Sequence, residues 1–259
     1  MPKVRIAVAE NAPDLMPGTS DWERLVKELQ SINADIFVFN ELPFGDWIAS
    51  EMEFDEDIFN AAVAAHDTAI EALGTLGVPN ILGSRITVQG GVRVNSGFLW
   101  TKANGLKDFY TKQHVPFSPG YWESSWYEPG PRTNPIIEVA GLKIGMLICT
   151  DIMFNEHARA YGRGGADVIV VPRAMPPVAS DFFDAAMTMG AVASGCYVAS
   201  SNRTGENNEG EPFEGRGCIY NPAGQVVAQT NMFTNVSFHD VDTDFVTWKQ
   251  ALYPCDVPE

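Results

Sequence analysis

Long apolar runs are absent from this chain. No stretch reaches the ~18 residues that a membrane span needs, and the mean hydropathy is -0.08. Positive charge is scarce as well. Lys and Arg total 17 against 33 Asp and Glu, a formal net charge of -16. That balance argues against nucleic acid or an anionic membrane as a partner and is read as a solubilising surface. Cysteine is limited to Cys149, Cys196, Cys218 and Cys255, with no CxxC pair. A disulfide framework and a zinc knuckle are both disfavoured by such spacing. Histidine is equally sparse, and no HxxxH or paired-Asp pattern offers metal ligands. The N-terminus, MPKVRIAVAE, lacks the apolar core and cleavage site of a signal peptide and reads as a strand from its first residues. A cytoplasmic protein is expected.

What is present is ordinary globular material. The 259 residues are 45% apolar and 19% charged, enough for a sizeable core. KVRIAVAE is a strand. TSDWERLVKELQSIN places Trp22, Leu25, Val26 and Leu29 at helical spacing, with Thr19 or Ser20 as cap. ADIFVFNEL is a buried strand ending in an acid, and DEDIFNAAVAAHDTAIEALGTLG is a second helix with a glycine stop. Three short strands follow over NILGSRITVQGGVRVNSGFLWTKANGLKDFYTKQH, then a long Pro/Gly/aromatic loop, VPFSPGYWESSWYEPGPRTNP. Beyond it NPIIEVAGLKIGMLIC is a hairpin, MFNEHARAYGRGGA a helix, DVIVVPRA a buried strand, DFFDAAMTMGAVASGC a helix and YVASSNRTG one strand. GCIYNPAGQVVAQ and NVSFHDVD form a terminal hairpin. No linker, repeat or low-complexity tract interrupts residues 1–259. This order predicts one α/β domain with helices on both faces of its sheets.

The chemistry-bearing candidates lie at strand ends, where open α/β sheets place ligands. A buried strand ends at Cys149, ahead of a helix whose dipole and free N–H groups favour thiolate. A buried structural cysteine is the alternative. A nucleophilic thiol needs a base. His66, His114, His157 and His239 lack a papain-like pattern of orienting residues. Carboxylate and lysine are the other choice. FVFNELPFGDW puts Glu41 after an apolar strand, and DFYTKQHVP puts Lys112 at another strand end. Each alone reads equally well as a solvated surface group. Glu, Lys and Cys delivered toward one edge is a far less accidental set.

With these residues in place, the chain resembles the nitrilase superfamily of carbon–nitrogen hydrolases. NELPF around Glu41, YTKQHVP around Lys112 and GMLICTDIMFNEHAR around Cys149 stand in that family's order. RGGADVIVVP, SNRTG and FEGRGCIYNPAGQVVA match further along, so the likeness covers nearly the whole chain. KQHVPFSPGYWESSWYEPG looks most like the branches that hydrolyse N-carbamoyl compounds. The family's additional active-site glutamate falls on Glu123, with Glu128 as a rival in the same loop. Departures are Thr150 after the cysteine, Arg173 after DVIVVP, and Gly217 where serine is common.

The resemblance implies a nitrilase-like, four-layer-forming αββα sandwich in a single domain. It implies an amidase acting on a small-molecule amide or N-carbamoyl compound through a Cys149 thioester. Glu41 would be the base, Lys112 the oxyanion donor and Glu123 an orienting group. No metal or organic cofactor is implied. Thr150, Arg173, Trp122 and Phe154 are candidates for substrate contact, beside Trp47, Trp126 and Tyr127. Arg173 is read either as a clamp for a substrate carboxylate or as one half of a structural ion pair. A homodimer through helices near Cys149 and segment 180–195, or a higher homo-oligomer, is expected. The competing functions are a nitrilase, a non-catalytic binding module of the same fold and a papain-like protease.

Overall fold

Alternation of side chains along short strands decides which face each residue buries. The structure, a computed structural model, describes residues 3–258 apart from 14, 208 and 232. The expected strand from the very first residue therefore falls partly on residues 1 and 2, outside the described residues.

The chain begins with β1 (Val4–Asn11), α1 (Ser20–Ile32), β2 (Ile36–Val38) and α2 (Glu56–Glu71). A meander follows: β3 (Asn80–Gln89), β4 (Val92–Thr101) and β5 (Gly105–Thr111). Then come α3 (Glu123–Trp126), β6 (Ile137–Val139), β7 (Leu142–Met146), α4 (Asn155–Arg163), β8 (Val168–Val170), α5 (Ser180–Ser194) and β9 (Tyr197–Ser200). The last elements are β10 (Asn202–Glu206), β11 (Pro212–Glu214), β12 (Cys218–Tyr220), β13 (Val226–Gln229), β14 (Val236–Val241) and α6 (Thr243–Gln250). Thr19 caps α1 by accepting from the Trp22 N–H, and Asp55 caps α2 by accepting from the Ile58 N–H.

One sheet has eight strands in the order β11-β10-β1-β2-β3-β4-β5, with β14 also paired to β1. The other has six, β13-β12-β9-β8-β7-β6. Ile6, Val8, Ile36, Val38 and Leu82 of the first sheet share a core with Ile144, Met146 and Val168 of the second. The sheets thus pack face to face. A side chain at Gly97 in β4 would collide with the Met146 sulfur, so the sheets close to contact there. The alternate residues Ala7, Phe37, Phe39, Ile81 and Phe98 face the other way and pack with Trp22, Leu25, Leu29 and Ile70 of α1 and α2. Across the second sheet, Gly145 leaves room for the ring of Tyr161 in α4, whose hydroxyl donates to the Met146 carbonyl at 2.8 Å. The layers therefore run helix, sheet, sheet, helix, the expected αββα order.

Several local expectations are corrected. YVASSNRTG is not one strand. It changes sheets at Ser201, whose hydroxyl donates to Val38 O at 2.5 Å and accepts from Ala9 N at 2.8 Å. Residues 218–229 do form a hairpin, but β14 leaves it to pair with β1. The long loop contains a helical turn, α3. Two elements were not foreseen, the short β11 and the C-terminal α6. The strand before Cys149 ends in ladder terms at Met146.

Helices α4 and α5 touch backbone to backbone at Gly162. A Cβ there would run into the main chain of Ser194, including its Cα at 2.7 Å. Backbone cannot step aside as a side-chain tip can. Gly162→Ala is expected to destabilise the fold by about 1–3 kcal/mol, the usual range for overpacking, read as a lower midpoint in urea unfolding.

Candidate active site

Strand direction brings the candidate residues to one edge. β2 and β3 run parallel, and β5 returns to their direction through two antiparallel steps. β7 and β8 are parallel in the facing sheet. The segments after β2, β5, β7 and β8 therefore leave at carboxyl ends.

Backbone bonds to the segment after β8 fix those residues. Cys149 N donates to Pro172 O at 2.9 Å, and Glu41 N donates to Arg173 O at 3.1 Å. Two adjacent carbonyls after β8 thus hold one residue from each sheet. Phe39 and Phe44, both fully buried, stack edge-on at 5.1 Å and anchor the chain on either side of Glu41. Burial of each ring contributes about 1.5–3 kcal/mol. Two positions are strained: Cys149 has φ 47° and Leu42 has φ 44°. Such left-handed backbone costs of order 1–3 kcal/mol per residue and persists only where surroundings enforce it.

The side chains meet in a buried charge cluster. Lys112 Nζ donates to Glu41 Oε1 at 2.7 Å and to the two Glu123 oxygens at 2.7 and 2.6 Å. Asn95 Nδ2 donates to the same Glu41 Oε1 at 2.8 Å. Glu41 Oε2 is buried without a partner. Glu41 and Lys112 have no exposed surface. Burial opposes the Lys112 charge, but Glu123, Glu41 and Cys149 outweigh it and hold the ammonium well above its ordinary range. Two carboxylates around one cation leave a surplus negative charge. Burial, with Glu41 adding and Lys112 opposing, pushes Glu123 up to about 8.

Cys149 lies against this cluster at the start of a single 3₁₀ turn, Cys149–Met153. Burial first, then Glu41, hold its thiol well above the ordinary cysteine range, against Lys112 and the Ala174 backbone amide. The expectation of a dipole-stabilised thiolate is therefore overturned. One short turn is too weak an electrostatic source to offset desolvation and a neighbouring carboxylate.

The four histidines are engaged elsewhere. His66 bonds Ala62 O at 2.9 Å inside α2, and His114 pairs with Asp151 at 2.9 Å. His157 faces Asn134 at 3.0 Å, and the His239 ring lies 5.5 Å from Tyr197. The papain-like alternative finds no support in this arrangement. Of the two glutamates in the loop, Glu123 is buried on Lys112, while Glu128 is exposed.

The expected substrate contacts divide. Thr150 adjoins Cys149 in the 3₁₀ turn, half-buried, and Trp122 adjoins Glu123 with its ring against Phe117 at 4.8 Å. Phe154 instead stacks on His114 at 3.6 Å. Arg173 fits neither of its readings. Its guanidinium is buried and donates to Ser200 Oγ at 2.6 Å, Arg216 O at 2.9 Å and the Met175 sulfur at 3.1 Å. No carboxylate pairs with it among the described residues. Trp47 and Trp126 are core residues whose indoles donate to Gly120 O and Glu51 O. The buried Tyr127 hydroxyl has no partner, and its phenol is raised by burial, then by Glu123 and Glu41.

Two residues escaped the sequence reading. Asn95 in β4 orients Glu41 and, through its carbonyl, accepts from Lys112 N at 3.0 Å. A polar residue inside VRVNSGFLW was its available signal. Asp151, two residues past Cys149, is fully buried. It accepts from Tyr110 Oη at 2.8 Å, His114 N at 2.8 Å and Ile148 N at 3.2 Å, tying the Lys112 and Cys149 segments together.

Comparison with known proteins gives the family and the fold. The family model described as carbon-nitrogen hydrolase matches residues 3–250. N-carbamoylputrescine amidase of Arabidopsis thaliana is 27% identical over 240 residues, covering 84% of this chain and 78% of that protein. A nitrilase of Pyrococcus abyssi is 26% identical over 238 residues, covering 88% and 85%. Among solved structures, a carbon-nitrogen hydrolase from Helicobacter pylori superposes with a TM-score of 0.84 at 18% identity, covering 97% of this chain and 94% of that one. An amidase from Nesterenkonia sp. gives 0.76 at 21%, covering 95% and 93%. These structures share the fold.

The raised Glu123 carboxyl has a stability consequence. Its folded value, about 8, exceeds the ordinary 4.5, so the folded protein binds this proton more tightly. Its contribution is fully present below 4.5 and is lost as pH rises through about 8. Urea unfolding across that window should give falling stability with rising pH, and a flatter slope in Glu123→Gln.

Proposed function

The chain belongs to the carbon-nitrogen hydrolase family, and from that premise we propose that it is an amidase. The substrate would be a small amide or N-carbamoyl compound. The observation that carries this reading is the buried meeting of Glu41, Lys112 and Glu123 beside Cys149, with Glu41 Oε2 left unpartnered. The reaction is proposed to occupy residues 1–259 as one domain, in the cytoplasm. Among the described residues no helix is long and apolar enough to cross a membrane.

Because the resting thiol is neutral, proton removal and attack go together. Glu41 Oε2 takes the Cys149 proton as sulfur attacks the carbonyl carbon. Lys112 and the Thr150 amide, free of an intrahelical partner at a first turn, stabilise the oxyanion. Glu41 returns the proton to the leaving nitrogen, releasing ammonia and a thioester. Water activated by Glu41 then frees the acid. Glu123 holds Lys112 in place and orients the substrate nitrogen. Trp122 is a wall of the site in this reading.

The nitrilase alternative uses the same four residues, and the likeness to the Pyrococcus abyssi protein favours keeping it. Ammonia release from matched amide and nitrile substrates separates the two, and turnover of nitriles alone would sink the amidase reading. Cys149→Ala is expected to fall to background, and Glu41→Gln to lose about 10²–10⁴-fold in kcat. Mass spectrometry of quenched wild-type reactions should find an acyl adduct on the Cys149 peptide. Wild-type ammonia release no higher than that of Cys149→Ala would instead favour a binding module.

Self-association is proposed through α5, which exposes Phe182 (68%) and Met189 (50%), two turns apart on one face. Phe182→Asp should yield a smaller species in sedimentation velocity if that face joins two copies.

A further inference from the structure

A cleft of about 550 Å³ opens beside the site, walled by Pro119, Tyr121, Pro176, Val178 and Pro212, with Glu211 on its rim. Both walls are continuous with the reacting centre. Tyr121 stands two residues before Glu123. Pro176 stands three residues after Arg173, whose carbonyl accepts from Glu41 N at 3.1 Å. The Tyr121 phenol is raised by burial and then by Cys149, Glu211, Glu41 and Glu123.

The cleft is apolar apart from one charge. Glu211 is exposed, and no cation pairs with it among the described residues. Its carboxylate lies against Gly120, where a side chain would overlap it. Its backbone is pinned on both sides, since Glu211 N donates to Asn207 Oδ1 at 2.9 Å and Glu211 O accepts from Asn207 N at 2.9 Å. No lysine or arginine lines the cleft. The nearby Arg173 is turned away and committed to Ser200, Met175 and the Arg216 carbonyl.

We propose that this cleft is the binding site for the far end of the substrate, and that it takes amides ending in a cationic group, with Glu211 as the counter-charge. The proposal rests on the amidase reading. Prolines make the walls rigid and donate nothing, so the chain linking amide and cation would be apolar. An amide ending in a carboxylate would meet only like charge.

The test compares kcat/KM for an ω-amino amide, its uncharged isostere with methyl in place of ammonium, and the ω-carboxy amide. Wild type should favour the ammonium compound over the isostere by about fivefold, the scale of one exposed ion pair. That preference should shrink as salt is raised. Glu211→Gln should remove most of it, and Glu211→Lys should reverse it toward the carboxylate compound. Equal turnover of ammonium and uncharged amides by wild type, or a preference that survives both substitutions, would overturn the proposal while leaving the amidase reading intact. Failure of every amide to release ammonia would overturn both.

Discussion

A lysine ammonium with no exposed surface, gripped by two carboxylates, is the constraint around which this edge of the molecule is built. An isolated charge in such a place would lose its proton or unfold its surroundings. Lys112 keeps its charge because Glu41 and Glu123 reach it at 2.7 and 2.6 Å. Those carboxylates come from different elements, one after β2 and one in α3. The second of them is itself under stress, since one cation cannot fully compensate two anions. The cluster is therefore a proton-holding device as much as an ion pair. It also explains the neutral thiol: a third negative charge beside this cluster would be the least affordable of all. A carboxylate-assisted attack, in which sulfur loses its proton only as it bonds to carbon, suits that electrostatics better than a preformed thiolate.

Backbone geometry makes the cluster possible. The carbonyls of Pro172 and Arg173 receive Cys149 from one sheet and Glu41 from the other. Ser201 crosses between the sheets and closes its hydroxyl onto Val38 and Ala9. Asp151 joins the turn after Cys149 to the segment after Lys112. The strained φ angles at Cys149 and Leu42 sit inside this lattice. Strain of that size needs a rigid frame, and the face-to-face closure at Gly97 and Met146 supplies one. Site and sandwich are thus parts of one packing problem. The site forms only when both sheets are in register.

Much of this could be read from residue order, and the exceptions have physical causes. Alternating apolar runs and capped amphipathic helices gave the strands and helices through β9 apart from α3, because each of those elements repeats one signal over many residues. Glu41, Lys112 and Cys149 were legible because a polar residue closing an apolar strand is conspicuous. Glu123 was legible only by likeness, since a four-residue turn in a proline-rich loop leaves no period. Ser201 hid its change of sheet because YVASSNRTG stays apolar and then polar without a glycine or proline break. The C-terminal helix hid because Val246 is its one buried residue. Asp151 resembled a surface acid, and its role depends on amides that only the folded chain brings near. The sign of the Cys149 shift was missed because a dipole argument counts the helix and ignores burial.

Arg173 carries the remaining lesson about charge. Sequence position put a cation at the rim of the site, where it could meet a substrate carboxylate or pair with an acid. The folded chain does neither. Ser200, Met175 and the Arg216 carbonyl draw the guanidinium inward, and Cys218 lies near it at 3.7 Å. Neutral partners can satisfy its N–H groups without cancelling its charge. The consequence falls on what an incoming molecule meets. With the cation withdrawn and Lys112 enclosed by two acids, the approach to Cys149 offers apolar wall, phenol and carboxylate. Discrimination by charge then belongs to the vestibule, ahead of the reacting atoms. The buried cluster, set behind that vestibule, is free to serve bond cleavage alone.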